Sequence, residues 1–249
     1  MSRVYRPVKT IMAREWAAYF NSPIAYVFLV IFLILAGFFT FAVSRFYENG
    51  QADLRPFFFW HPWLYLILVP AVTMRLWAEE QRSGTIELLL TLSVKPGQAI
   101  LAKFFAAWLF LGLALLLTFP MVLTSYYLGN PDPGVMISGY LGSFLLAGAY
   151  VSVGLFASAM TRNQVISFVI GVFVGLFLLL AGFPPVTELL SRWAPVWLVD
   201  GVAGFSFMSH YDMLQRGLIT LGDLTYFGGV IIFMLVATHA ALTRRMSSV

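Results

Sequence analysis

The sequence predicts an all-α polytopic membrane protein with six transmembrane helices, and three observations predict it. Of the 249 residues, 60% are hydrophobic and only 10% are charged. A soluble domain is roughly 45–50% apolar and about 25% charged. The apolar residues gather into six runs, 22–44, 56–78, 104–128, 139–160, 165–183 and 224–242. Each can cross ~30 Å of hydrocarbon at ~1.5 Å per residue. The scarce charges lie almost wholly between these runs. Such a chain is neither a soluble globule nor disordered. The alternating ~10-residue segments of a β-barrel are missing. Residues 1–249 therefore read as a single transmembrane domain.

The first element precedes the first run. Residues 1–21 mix Arg3, Arg6, Lys9 and Arg14 with Val4, Val8, Ile11, Trp16 and Phe20. This pattern predicts an amphipathic helix along the inner membrane surface, with Trp16 and Tyr19 as interfacial anchors. A plain basic flank is the other reading. The run at 22–44 is longer than the 7–15-residue core of a signal peptide, so it is a retained anchor.

Lysine and arginine orient the six runs. With the N-terminus cytoplasmic, eleven of the 15 basic residues face inward: Arg3, Arg6, Lys9, Arg14, Arg75, Arg82, Lys95, Lys103, Arg162, Arg244 and Arg245. Arg45, Arg55, Arg192 and Arg216 face outward. Both termini are then cytoplasmic, and the bilayer itself is a partner. Two connections exceed the usual two to eight residues: the inner segment 79–103 and the outer segment 184–223.

Several chemistries are absent from the sequence. There is no cysteine, hence no disulfide and no thiolate metal site. None of the three lysines, Lys9, Lys95 and Lys103, follows a glycine, so no P-loop is present. His61, His210 and His239 are far apart, and no H-E-x-x-H occurs. We assign no catalytic residue and no metal ligand. His210 and Asp212 read as solvated. The aromatics lie mostly inside apolar runs rather than among clustered basic residues, which argues against nucleic acid. No carboxylate lies within any run, as the proton or sodium site of an ion-coupled carrier requires. The driving energy is therefore expected from another chain.

The inner loop carries the most specific signal. A span leaves the membrane at Glu79-Glu80, followed by Gln81 and Arg82. Ser83-Gly84-Thr85 breaks the chain, with Gly84 supplying backbone freedom and Ser83 or Thr85 a helix cap. Glu87 then falls in the first turn of a new helix, where the dipole favours a carboxylate. Leu88, Leu89 and Leu92 give it an apolar face. Pro96-Gly97 ends it, and Lys103 marks re-entry.

This segment resembles the inner loop of ABC-2 type transporter permeases. There a Glu-Glu, then Ser-Gly-Thr, then Glu-Leu-Leu-Leu-Thr pattern follows the second span. Ser93 stands where that pattern has a proline. The resemblance implies that Glu79, Glu80, Arg82, Ser83, Gly84, Thr85, Glu87 and Leu88 form a coupling element docking on a separate ATPase subunit. It also implies that residues 1–21, through Arg6, Lys9, Arg14 and Trp16, are a connector helix. The segment Phe205 to Tyr211 and the residues around Asp223 to Phe227 resemble the gliding-motility and copper-enzyme-maturation subgroup. The implied assembly holds two ATPase subunits, which bind ATP and magnesium. It also holds a second permease copy or a related chain, and in some cases an auxiliary membrane or periplasmic protein. The implied location is the bacterial inner membrane, and the implied direction is export. This chain would then be a non-catalytic subunit with no cofactor of its own. The alternative is a mechanotransmitter or scaffold that acts on a periplasmic partner without transporting a substrate.

Two further patterns complete the reading. Phe207, Tyr211, Leu214, Leu218 and Leu221 recur at helical spacing in the outer loop, after Trp193 and Trp197. The resemblance makes Phe207, Tyr211 and Leu214 an outer gate; an interfacial helix on lipid is the other reading. Gly171 and Gly175 form a G-x-x-x-G in the fifth run. It packs either within one subunit or across a dimer. Pro70 and Pro120 predict kinks in the second and third runs.

Overall fold

The structure is a computed structural model and describes residues 2–48, 50, 52–85 and 95–246. Among the described residues all regular structure is helical, with no strand. Helix α1 (Ser2–Phe20) leads into α2 (Pro23–Phe38), which closes in a π-helical turn over Phe39–Val43. The Ser44 N–H reaches the carbonyl five residues back, on Phe39, at 2.9 Å. Three shorter helices follow: α3 (Arg55–Phe59), α4 (His61–Thr73) and α5 (Arg75–Ser83). Then come α6 (Pro96–Leu116), α7 (Phe119–Leu128), α8 (Pro133–Ala159) and α9 (Gln164–Leu180). Short helices α10 (Pro184–Ser191), α11 (Val196–Ala203) and α12 (Phe207–Gln215) precede the last long one, α13 (Leu221–Met246).

Among the described residues, four helical stretches are long and apolar enough to span a bilayer: Ala25–Val43, Pro96–Leu128, Pro133–Ala159 and Leu221–Arg244. A fifth arises if α9 and α10 count as one span bent by 73°. This is the architecture of a membrane protein. The apolar run at 56–78 differs from the others. It is divided among α3, α4 and α5, so no single helix there is long enough. The junction residues Trp60 and Met74 keep right-handed helical dihedrals.

The prolines explain part of that division. Pro62 has no N–H for the Phe58 carbonyl, and Pro70 none for that of Leu66. At Met74 a side chain from elsewhere takes over the backbone bonding. In an unbroken helix the N–H groups of Trp77 and Ala78 would bond to Thr73 and Met74. Instead both donate to Ser158 Oγ on α8, at 2.9 and 3.0 Å, and that hydroxyl donates to the Met74 carbonyl at 2.8 Å. Gln81 Nε2 adds a bond to the Ala159 carbonyl at 3.0 Å. In α6–α7 the break falls at Leu117–Thr118, just before Pro120. There Thr118 Oγ donates to the Leu115 carbonyl at 2.6 Å.

Helix α8 is the hub, touching α3, α4, α5, α6, α9, α12 and α13. Its small residues let neighbours come close. A Cβ at position 142 would meet Leu214 at 2.8 Å, and one at 148 would meet the Trp108 indole at 2.9 Å. At 154 it would overlap the Thr73 hydroxyl. The faces turned outward are apolar as well. Val30, Ile34 and Phe38 on α2, Phe173 and Phe177 on α9, and Ile232 and Phe233 on α13 are all more than half exposed. Such faces suit hydrocarbon rather than water.

Candidate functional site at the junction of α1, α5 and α6

The third apolar run was expected to begin at 104, with Lys103 as the point of re-entry. The structure starts α6 eight residues earlier. Pro96 sits in its first turn, and the Lys95 N–H donates to Gln98 Oε1 at 3.1 Å as a cap. Lys103 is therefore inside the helix, and its side chain is 2% exposed. A lone buried ammonium is costly, so it must be paired. Its Nζ lies 3.1 Å from Glu15 Oε1 on α1 and 2.8 Å from Glu80 Oε1 on α5. It also sits 5.1 Å from the centre of the Trp77 ring. Arg14 completes the group, with Nη2 at 2.9 Å from Glu15 and 3.9 Å from Glu80. Two cations and two carboxylates thus join three helices.

Electrostatics follow from this packing. Burial pushes the Glu15 carboxyl up, but Lys103 and Arg14 more than offset it and hold its pKa below the ordinary value. Glu80 Oε1 is engaged, whereas its Oε2 is shielded from solvent and has no hydrogen-bond partner among the described residues. Beside the cluster lies a cavity of about 370 Å³ lined by Tyr19, Arg75, Glu79, Glu80, Thr85 and Lys103, among others. The Arg75 guanidinium lies 5.4 Å from the centre of the Tyr19 ring.

The end of α5 fits its sequence. Gly84 adopts a left-handed φ of 71°, which glycine tolerates at a helix C-terminus. Ser83 Oγ donates to the Glu79 carbonyl at 2.9 Å and lies 2.9 Å from Thr85 Oγ. Arg82 is exposed in the last turn, where a cation suits the helix dipole. Glu79 is exposed at the cavity rim. Glu87 and Leu88, with the rest of 86–94, lie outside the described residues.

The structure brings some expected residues together and separates others. Arg14 and Glu80 meet at Lys103. Lys9 is exposed on α1, and Trp16 is half-buried against Phe20 at 5.5 Å. The Arg6 side chain lies outside the described residues. Gly171 and Gly175 face into this chain: a Cβ would meet Pro70 at 3.2 Å from one and Tyr150 at 2.9 Å from the other. Here the pair packs α9 against α4 and α8.

Phe207, Tyr211 and Leu214 are wholly buried. Tyr211 donates its hydroxyl to the Phe58 carbonyl at 2.9 Å and lies 2.8 Å from Ser143 Oγ. Phe207 meets Tyr150 at 4.9 Å. The three residues pack α12 onto α3 and α8 as a core plug.

One reading of the outer loop is revised. His210 is engaged rather than solvated: Nδ1 lies 2.7 Å from Asp223 Oδ1, Nε2 lies 3.2 Å from the Gly204 carbonyl, and the ring stacks on Tyr226. Asp212 is paired with Arg216 at 2.7 Å.

Sequence reasoning passed over Glu15, Lys103, Ser158 and Asp223 as members of sites. A lysine bordering a long apolar run, with glutamates on both neighbouring segments, was the available signal for the first two. Nothing local flags Ser158. Among the described residues, no group of three His, Asp or Glu is placed to hold a metal ion.

No family model matches the chain, and no curated protein matches it.

Proposed function

We propose that this chain is the membrane-spanning subunit of an ABC-2 type transporter, an exporter driven by a separate ATPase. On this reading the run at 56–78 is a broken sixth span, and both termini are in the cytoplasm of a bacterial cell. Two copies, or one copy and a related permease, sit above two ATPase subunits that bind ATP and magnesium. The observation that carries the reading is the ion cluster. Lys103 ties α1, the connector helix of the resemblance, to α5, which leads into the Ser83-Gly84-Thr85 motif. The two elements expected to touch the ATPase are thereby one mechanical unit on α6. Ser158 links the same α5 to the hub helix α8. A rigid-body shift of the ATPase at 79–94 then reaches α6 and α8 directly, a coupled motion of packed elements.

The test purifies the tagged chain from its native membrane and measures the P-loop ATPase, and the ATP hydrolysis, that comes with it. Glu79→Ala and Glu87→Ala leave the Lys103 cluster intact. The expected result is at least a tenfold loss of co-purifying ATPase or of stimulated hydrolysis. Unchanged binding and hydrolysis in both variants would overturn the coupling assignment.

A further inference from the structure

Helices α1, α6 and α8 leave a groove of about 850 Å³ between them. Met12, Ala13 and Trp16 line it from α1, Leu113 and Leu116 from α6, and Leu141 from α8. Its size is that of a ligand site, but among the described residues no charged side chain lines it. Leu116 is 72% exposed and Leu141 37%, so the groove opens onto the outward apolar surface of the helices. On a membrane protein that surface meets acyl chains. Water is a poor occupant, because it needs two or more polar partners and the wall offers few.

Charge identifies one end of the groove. Positions 9, 12, 13 and 16 share one face of a helix, so Lys9 continues the lining stripe of α1 one turn beyond Met12. Lys9 is exposed and forms no ion pair among the described residues. The acid of α1 is Glu15, which is spent on Lys103 and Arg14 around the helix from that stripe. Along α1 the apolar lining is thus followed, one turn beyond Met12, by an exposed lysine.

We infer that the groove holds one phospholipid, with its acyl chains against Trp16, Leu113 and Leu116 and an anionic headgroup at Lys9. The inference does not depend on an ATPase partner. A basic residue at a membrane surface favours anionic over zwitterionic lipid by about one unit charge's worth of attraction, about fivefold in affinity.

The test places the purified full chain in phosphatidylcholine vesicles doped with dibrominated phosphatidylglycerol or dibrominated phosphatidylcholine. Bromine quenching of Trp16 is read as the difference from a Trp16→Phe chain. We expect the glycerol lipid to quench at about fivefold lower content. Lys9→Gln should abolish that preference while leaving quenching itself. Ala13→Phe, which fills the groove, should weaken quenching by both lipids with circular dichroism unchanged. Native mass spectrometry should find one phosphatidylglycerol retained per chain. Equal potency of the two lipids, a preference that survives Lys9→Gln, or quenching indifferent to Ala13→Phe would each overturn the assignment.

Discussion

Lys103 and Glu80 meet at 2.8 Å although they lie on different helices, and Lys103 is sealed from solvent. Glu15 shares the same ammonium from a third helix. This arrangement makes opposite predictions for single and multiple substitutions. Removing one partner of a buried ion pair strands the other charges and costs about 3–5 kcal/mol. Lys103→Met should therefore lower the unfolding temperature in detergent sharply. The triple variant Lys103→Met/Glu15→Gln/Glu80→Gln removes the stranded charges as well. It should recover most of the loss. Equal instability in both would show that packing of the lysine stem, rather than its charge, holds the junction.

The pH dependence has a definite sign. Glu15 has a pKa held below its ordinary value of 4.5 in the folded chain. A depressed carboxyl contributes stability that is complete above the unfolded value and is lost as pH falls through the folded one. Unfolding temperature measured down an acid series should thus drop below about pH 4.5. Glu15→Gln should flatten that limb while lowering the plateau near neutrality. A Glu15→Gln chain with an unchanged acid limb would contradict the assignment.

Tyr211 serves a carbonyl that loses its usual helical donor at Pro62. Its hydroxyl is a partner of the Phe58 oxygen at 2.9 Å. Tyr211→Phe keeps the ring but removes one of two donors to that oxygen, the other being the Trp60 N–H, at a cost of about 1 kcal/mol. Ser143→Ala removes only the bond to the Tyr211 hydroxyl, which keeps the Phe58 carbonyl, so it should cost less. Thermal unfolding of the two variants side by side checks the order.

Close approach around the hub helix separates glycines that are needed from those that are not. A Cβ at 175 would meet the Tyr150 ring at 2.9 Å, whereas at Gly37 nothing lies within 4 Å. Gly175→Ala should destabilise by about 1–3 kcal/mol through overpacking. Gly37→Ala should be neutral or slightly stabilising, since alanine favours helix over glycine. Parallel melts of the two variants decide it.

Much of this architecture was legible in the sequence, for physical reasons. Hydropathy reports the solvent each segment needs, so the helical membrane class and four of the long apolar stretches follow from it, with a fifth if α9 and α10 are one span. Gly84 announced its left-handed turn through residue type alone. What could not be read depends on partners remote in the chain. The break at Met74 is stabilised by Ser158, whose hydroxyl replaces backbone bonds more than eighty residues away in sequence. Lys103 reads as a flanking charge until α1 and α5 deliver two carboxylates to it. Asp223 similarly reads as an outer-loop acid until α12 brings His210 within 2.7 Å. The periodicity marked a helix face at Phe207, Tyr211 and Leu214, but Leu218 and Leu221 of the same stripe lie beyond the end of α12 at Gln215 and are exposed. Only the fold shows that this face is turned inward onto α8.

The proposal that an external ATPase drives this chain is most directly tested by affinity purification of the tagged chain from its native membrane, with quantitative mass spectrometry of what comes with it. The expected result is a P-loop ATPase recovered in roughly equal amount to the chain, and lost from the Glu79→Ala/Glu87→Ala variant. Purification of the intact chain with no P-loop ATPase enriched over an untagged control would contradict it.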